Sequence, residues 1–372
     1  MSSNFQHSGQ FLKLELLGIG SMRDLAFQKN LDQSLEELGI NSTIEHIRDI
    51  NTLLDYGITG IPALRVNERV IFQNIVPQVE DIKLVLRLIQ EQKQWKRKRI
   101  RRIIVPTDFS PAASNALQYA LALAKDIKAK VKVVHIHQPQ MDIAGNISIG
   151  DIPTEIHRKQ EKLDQFISAN QENVKSKEKT NLETEIISGF PVEELRRISK
   201  QKDTDLIIMS TRGQSNIVEK IIGNIAIEVG RKAGCPVLLV PQKATFQAWK
   251  EIVFANDYLH NRADTIAPLI NLASKFHSEL HFVNIADELP NGDLQQQIPV
   301  GNAHNFFEFN LTINKIKGDH IIETLKSYTT AVQANLLVMT AVKRSFLDSI
   351  FHKSQTKQMF YRADTPLLLL HE

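Results

Sequence analysis

The sequence predicts an α/β protein made of three consecutive domains, each with a sheet covered by helices. Its 372 residues exceed what one hydrophobic core usually serves, since a domain holds roughly 100 to 200 residues. Short apolar runs typical of buried strands alternate with amphipathic helical segments along the chain, which favours parallel sheets. An internal repeat supports the division, because residues 104–109 match residues 253–258 without a gap.

Composition narrows the class of protein. Hydrophobic residues make up 42% and charged residues 23%, which is typical of soluble globular chains. The polar start lacks the pattern of a signal peptide, and no apolar run approaches the ~18 residues of a membrane span. We therefore expect a cytoplasmic protein without membrane contact. The single cysteine, Cys235, excludes an intramolecular disulfide, a dithiol redox couple and a multi-cysteine metal site.

A basic run marks one domain boundary. Residues 96–102 carry six positive charges, more than the whole net charge of +3. We interpret the run as a solvated linker, and docking to a polyanion is the alternative. Nucleic acid is a poor candidate partner, because the run lacks interleaved aromatic residues that would stack on bases. The predicted domains are residues 1–95, 103–243 and 248–372.

The repeat defines two copies, residues 103–243 and 248–372. A second matching block pairs residues 205–210 with residues 335–340, at an offset 19 residues smaller than the first block's. The first copy is predicted to hold strands at 102–105, 131–136, 183–187, 205–209 and 237–240, and helices at 111–124, 155–171, 192–201 and 224–233. In a parallel sheet of this kind, ligands bind beyond the carboxyl ends of the strands.

One such strand end leads into a candidate phosphate loop. Residues 210–224 read Ser-Thr-Arg-Gly-Gln-Ser-Asn-Ile-Val-Glu-Lys-Ile-Ile-Gly-Asn and run into a helix. Glycine lets backbone N–H groups approach a phosphate closely, and the helix N-terminus adds a partial positive charge. A loop glycine alone does not decide between a phosphate site and an ordinary turn.

Four segments of the first copy together resemble a universal stress protein domain: Val105-Pro-Thr-Asp108-Phe-Ser110, Gly189-Phe-Pro191, the loop above and Gly234-Cys-Pro236. The resemblance implies a doubly wound, Rossmann-like parallel sheet of the adenine nucleotide alpha hydrolase-like type. It also implies that ATP, ADP or AMP binds, with Asp108 on the ribose side and Ile136 near the adenine. The implied site residues are Pro106, Thr107, Asp108, Ile136, Ser210, Arg212, Gly213, Gly223 and Asn224.

Two positions depart from the family's pattern of Gly-x2-Gly-x9-Gly followed by Ser or Thr. Gly213 and Gly223 match its second and third glycines, whereas Ser210 stands in place of the first and Asn224 in place of the Ser or Thr. Asparagine still caps a helix, but a side chain at Ser210 would crowd a nucleotide. Retained nucleotide binding and a loop that only keeps its turn are both open.

The second copy has lost this loop. Residues Thr340, Lys343, Lys353 and Ser354 occupy its key positions, so we expect a degenerate domain; an anion site built on the two lysines is the alternative. Both copies end in apolar runs, Val237–Val240 and Leu367–Leu370. Exposed apolar edges are liabilities, and family members pair through the last strand, so we expect an internal pseudo-dimer, with a homodimer also possible.

The first 95 residues show the order βαβαββα, with Ile61-Pro62 before the third strand. This order resembles the thioredoxin fold in its glutaredoxin-like form, which implies a cis peptide at Pro62. The family's Cys-x-x-Cys positions fall on Ser21-Met-Arg-Asp24, which cannot form a disulfide. We expect a redox-inactive packing or docking module in which Ser21 and Asp24 serve the start of a helix.

These observations predict a non-catalytic stress-response protein that needs no cofactor and binds an adenine nucleotide as a regulatory ligand. The alternative is a nucleotide-independent scaffold that docks an unknown protein partner through the thioredoxin-like domain. Weak ATP hydrolysis, with Asp108 orienting a metal, ranks lowest. His135 and His137 share one strand but lack a third ligand, so we expect no metal site there.

Overall fold

The computed structural model describes residues 12–90, 99–138, 152–172, 182–211, 224–255, 263–286, 288–289, 295–300, 308–341 and 365–371. The chain divides into two compact units. Unit 1 holds residues 1–98 and 256–319, and unit 2 holds residues 99–255 and 320–372.

Unit 1 begins with a four-stranded sheet. Its elements are β1 (Leu14–Leu17), α1 (Met22–Leu38), β2 (Ile44–Ile47), α2 (Ile50–Asp55), β3 (Ala63–Val66), β4 (Arg69–Gln73) and α3 (Val79–Gln90). The strand order is β2-β1-β3-β4, with β1 parallel to β2 and antiparallel to β3. The predicted order βαβαββα is confirmed, and so is the cis peptide between Ile61 and Pro62.

The start of α1 is set by a capping box. The Asp24 amide donates to Ser21 Oγ at 3.3 Å, and the Ser21 amide donates to Asp24 Oδ2 at 2.6 Å. These two bonds satisfy N–H groups that the helix itself leaves unpaired. α1 begins at Met22, directly after the cap, so Ser21 and Asp24 serve the start of a helix as expected.

Unit 1 continues with α8 (Ala263–Phe276) and three strands, β11 (Glu279–Ala286), β12 (Gln295–Val300) and β13 (Asn310–Lys317). β11 and β13 are parallel, whereas β12 is antiparallel to β13. In the first copy the corresponding connection is the 21-residue helix α5 (Ile152–Glu172). The sequence prediction did not find β12; a strand in place of that helix accounts for the shorter middle of the second copy.

Unit 2 contains the first copy as a parallel sheet. The elements are β5 (Arg102–Pro106), α4 (Pro111–Ile127), β6 (Lys130–His137), α5, β7 (Leu182–Ser188), α6 (Pro191–Ser199), β8 (Leu206–Ser210), α7 (Asn224–Lys232) and β9 (Val237–Val240). The strand order is β7-β6-β5-β8-β9. α4 packs with α5 and α6 with α7, as right-handed crossovers on opposite faces require. The predicted doubly wound parallel fold is confirmed. Arg102, counted with the basic linker, is the first residue of β5.

The rest of unit 2 extends this sheet with β10 (Glu251–Ala255), β14 (Leu336–Thr340) and β15 (Leu367–Leu370), and adds the helix α9 (Ile321–Ala331). β14 is parallel to both β10 and β15. β15 is antiparallel to β9, with Leu368 opposite Leu238, and both residues are almost fully buried. The pairing expected from the two apolar runs is therefore present.

The connector between β9 and β10 is fixed to α4. The Asn115 amide Nδ2 donates to the carbonyl oxygens of Pro241 and Ala244 at 3.1 and 3.0 Å. Trp249 is 1% exposed, and its indole Nε1 donates to the Tyr119 hydroxyl at 2.8 Å. Across the described residues, no helix combines the length and the apolar character needed to cross a membrane.

Candidate functional site

The candidate site lies where β5 and β8 end. These strands are adjacent and parallel, with Ile103 opposite Leu206 and Ile104 opposite Ile207, so their carboxyl ends meet at one edge of the sheet. The helix after β5 and the helix before β8 cover opposite faces, which makes this edge a topological switch point, where α/β sheets bind ligands. Asp108 follows β5 by two residues, and Ser210 is the last residue of β8.

A tight turn presents Asp108. The Phe109 amide donates to Thr107 Oγ1, and the Ser110 amide donates to Asp108 Oδ1, both at 3.0 Å. Ser110 Oγ then accepts from the Ala113 amide at 3.1 Å and caps α4. The Thr107 amide donates to the Val134 carbonyl at 2.9 Å, which ties the turn to β6. One face of the site is thus built from local hydrogen bonds that the sequence Thr-Asp-Phe-Ser supplies.

His135 on β6 lies behind this turn. Its Nδ1 is 2.8 Å from the Thr107 carbonyl oxygen, and its ring stacks on Phe109 with centroids 4.3 Å apart. The residue is 7% exposed, and Nε2 has no hydrogen-bond partner among the described residues. Burial lowers the pKa of His135, so the neutral ring is favoured. His135 was not expected to bind a metal, and the sequence did not predict its contact with the turn at Asp108.

Ile136 follows His135 and so points to the other face of the sheet, where it is half-buried opposite Ile187 on β7. The turn after β7 stays close to β6, because the Gly189 amide donates to the His137 carbonyl at 3.0 Å. Gly189 has φ +157°, and an added Cβ would lie 2.7 Å from Glu194 Cγ, so a side chain does not fit there. The next residue, Phe190, is 42% exposed.

The phosphate loop is described only at its ends. Ser210 is 9% exposed and lies opposite Val240 in the β8–β9 pairing, and the Thr211 amide donates to the Val240 carbonyl at 3.1 Å. Asn224 is the first residue of α7 and is exposed. Arg212, Gly213 and Gly223 lie outside the described residues. The structure therefore places Pro106, Thr107, Asp108 and Ser210 at the shared edge of β5 and β8, with Ile136 on the neighbouring strand.

In the second copy, Thr340 ends β14 as Ser210 ends β8. Lys343, Lys353 and Ser354, the remaining positions of the altered loop, lie outside the described residues. Within the part of the chain that the structure covers, no group of three or more His, Cys, Asp or Glu side chains is placed to hold a metal ion.

The N-terminal module presents a different surface. Asp24 stands where the second cysteine of the Cys-x-x-Cys pattern would be. It is 6% exposed, and its carboxylate accepts the backbone hydrogen bond of the capping box. Large apolar side chains are more than half exposed both next to Asp24 in the sequence and on α2. They are Ile19, Met22 and Leu25 in the first group, and Ile50 and Leu54 in the second. The family's redox positions are thus a helix cap flanked by exposed apolar residues.

Comparison with known proteins agrees with the fold. The family model described as "Universal stress protein family" matches residues 99–241, and the model described as "Thioredoxin domain" matches residues 24–87. A universal stress protein of Methanocaldococcus jannaschii is 30% identical over 159 residues, which cover 38% of this chain and 96% of that protein.

Two further similarities were found, one to a thioredoxin and one to a solved structure. A thioredoxin of Methanothermobacter thermautotrophicus is 29% identical over 75 residues, 20% of this chain and 97% of that protein. The crystal structure of a universal stress protein from Archaeoglobus fulgidus superposes with a TM-score of 0.55 at 16% identity, covering 73% of this chain and 96% of that one. This likeness concerns the fold alone.

Proposed function

Because the chain belongs to the universal stress protein family, we propose that its first stress domain, residues 103–243, binds an adenine nucleotide. The observation that carries the proposal is the switch point between β5 and β8, whose shared edge bears Asp108 and Ser210. The Asp108 carboxylate is suited to accept hydrogen bonds from ribose hydroxyls, since an ionised carboxylate is a hydrogen-bond acceptor and not a donor. The start of α7 at Asn224 favours a phosphate through its helix dipole.

ATP, ADP or AMP would act as a regulatory ligand and not as a substrate. A nucleotide shifts a conformational equilibrium only as far as it prefers one state, so partner binding would respond to that preference. The loop lacks the Gly-Lys-Ser/Thr signature whose lysine binds a transferred phosphoryl group. A turnover assay that compares wild type with Asp108→Ala tests this part, and turnover that the substitution abolishes would contradict it.

Calorimetric titration of the full chain with ATP, ADP and AMP tests nucleotide binding. We expect binding in wild type, and at least tenfold weaker binding in Asp108→Ala, because the site loses its half-buried ribose acceptor. Asp126→Ala is the matched control, since Asp126 is exposed near the far end of α4. Gly213→Lys tests whether the loop takes part in binding. A side chain at this position would keep the loop backbone away from a phosphate, so weaker binding is expected. Absence of heat at millimolar nucleotide would remove the proposal.

We infer the following organisation around that site. Residues 1–95 form a redox-inactive thioredoxin-like domain, residues 96–102 a basic linker, and residues 248–372 a second stress domain with a degenerate loop. The antiparallel pairing of β9 with β15 supports an internal pseudo-dimer of the two stress domains, in which the second occupies the β9 edge of the first. The cytoplasm is the compartment that we propose.

A second candidate function is a scaffold that docks a protein through the thioredoxin-like domain. The exposed apolar side chains at the start of α1 and on α2 support it, since a protein partner could cover them. On this reading Met22→Lys and Leu54→Lys reduce recovery of partners, whereas Gly213→Lys does not. The opposite pattern, loss with Gly213→Lys alone, would favour the nucleotide site.

A further inference from the structure

His135 contacts the Asp108 turn with both the edge and the face of its ring. Nδ1 lies 2.8 Å from the Thr107 carbonyl oxygen, and a carbonyl oxygen only accepts, so Nδ1 carries the proton and donates. The ring face stacks on Phe109 at 4.3 Å with an interplanar angle of 33°. The two residues on either side of Asp108 are therefore both held by one imidazole.

Phe109 needs such support because its backbone is in the left-handed region, with φ +66°. Bulky side chains rarely adopt this conformation, and it persists only where the surroundings enforce it. Phe166 on α5 packs edge-on against the same ring at 5.9 Å. Phe109 is thus held between β6 and α5, and the stack on His135 is the closer of the two contacts.

Resting on the proposed nucleotide site, we propose that His135 is a positioning residue for that site, which holds the turn so that Asp108 is oriented before the ligand arrives. Preorganisation of this kind raises affinity, because the turn loses no further conformational freedom on binding. An ordinary buried histidine would stabilise the domain without affecting ligand contacts through Asp108. The two roles differ in what a substitution does to nucleotide affinity.

Two substitutions separate the two contacts of the ring. His135→Phe keeps a flat ring against Phe109 but removes the donor to the Thr107 carbonyl, whereas His135→Asn keeps a donor near Nδ1 but removes the stack. We expect each to weaken ATP or AMP binding by ~10-fold, as the loss of one buried hydrogen bond or ring contact implies. His157→Phe is the control, because His157 on α5 is 79% exposed.

A double-mutant cycle with Asp108→Ala decides whether His135 acts through Asp108. If it does, His135→Phe weakens binding in wild type and has no further effect once Asp108 is alanine. Thermal unfolding of each variant is measured in parallel, so that a loss of stability is seen separately. Equal losses of affinity in both backgrounds, or losses within twofold for both His135 variants, would overturn the proposal.

Amide exchange of the turn gives a readout without nucleotide, measured at the Phe109 and Ser110 amides of the ligand-free full chain. We expect exchange there to rise by ~10-fold in His135→Phe and to stay unchanged in His157→Phe. If wild type binds no nucleotide, the proposed function fails, and exchange alone decides whether His135 fixes this turn. Unchanged exchange in both His135 variants would overturn that role as well.

Discussion

Lys315 on β13 forms a buried ion pair with Asp81 on α3, with 2.6 Å between Nζ and Oδ2. The two side chains are 5% and 0% exposed. Lys315 Nζ also donates to the side-chain oxygen Gln78 Oε1 at 2.8 Å, and the backbone N–H of Gln78 donates to Asp81 Oδ2 at 3.0 Å. Within unit 1, the thioredoxin-like module is therefore joined to residues 256–319 by a hydrogen-bonded charge pair.

Breaking this pair should loosen unit 1. Lys315→Met leaves Asp81 buried without its cation, and we expect a loss of about 3–5 kcal/mol in the free energy of unfolding. This loss in the free energy of unfolding is measured by urea titration, with hydrogen exchange of the α3 backbone amides as the readout. Lys83→Met is the matched control, since Lys83 pairs with the partly exposed Glu37 and Glu80 and should cost about 1 kcal/mol or less.

The double variant Asp81→Leu/Lys315→Met tests the reason for that loss. Replacing both charges removes the uncompensated carboxylate, so most of the lost stability should return. If Lys315→Met costs no more than Lys83→Met, the pair does not hold the module in place. A double variant less stable than Lys315→Met alone would show instead that the polar contacts themselves are required.

The bond between Trp249 and Tyr119 should stabilise the connector between β9 and β10. Tyr119→Phe removes the acceptor of a buried indole N–H, which costs about 1–3 kcal/mol when the donor is left unpaired. Unfolding followed by tryptophan fluorescence measures the change, since Trp249 is fully buried. Tyr56→Phe in unit 1 is the control, because the ring of Tyr56 still packs under Arg65 and about the same stability is expected.

Periodicity and turn chemistry predicted most of the fold. The strands and helices of the first copy fall within a few residues of their predicted places, because apolar spacing and caps such as Ser110 act locally. Ser21 and Asp24 are residue types that favour a helix start, and the capping box at α1 agrees with that prediction. β12 was missed because a short strand of Gln, Ile and Val at the sheet edge has no distinctive pattern.

The candidate site was predicted in part. Asp108 and Ser210 follow from motif and strand order, since parallel strands place their carboxyl ends together. The role of His135 was not predictable, because its contacts with Thr107 and Phe109 join residues 26 and more positions apart through strand pairing. The sequence pattern instead draws attention to His135 and His137 as two histidines on one strand, which lack the third ligand that a metal site needs.

Acid should destabilise the protein through two histidines, the buried His135 and the half-buried His371. Burial lowers the pKa of His135 and of His371 below their ordinary value of 6.5, and Lys159 and His137 lower that of His135 further, against the Thr107 carbonyl and Asp108. The unfolded chain therefore binds these protons more tightly, so stability is complete above pH 6.5 and falls as the pH drops below it.

Thermal unfolding between about pH 7.5 and about pH 5.5 measures this loss. His135→Asn and His371→Asn should each make the unfolding temperature less sensitive to acid, because a titrating group is removed. His157→Asn, at an exposed position on α5, should leave the sensitivity unchanged. If all three variants lose stability in acid as wild type does, the buried rings are not the titrating groups.

Cys235 should resist alkylation in the folded protein. The residue is 5% exposed, and burial together with the nearby Asp205 carboxylate raises the pKa of its thiol to about 12. At pH 8 only about one molecule in 10⁴ would carry the thiolate, which is the reacting form. Iodoacetamide should therefore modify wild type only after unfolding.

The double variant Cys235→Ser/Ser168→Cys, with its one thiol at an exposed position on α5, should react in the folded state. Rapid modification of native Cys235 would show that the turn before β9, which carries this residue, opens far more readily than its burial implies.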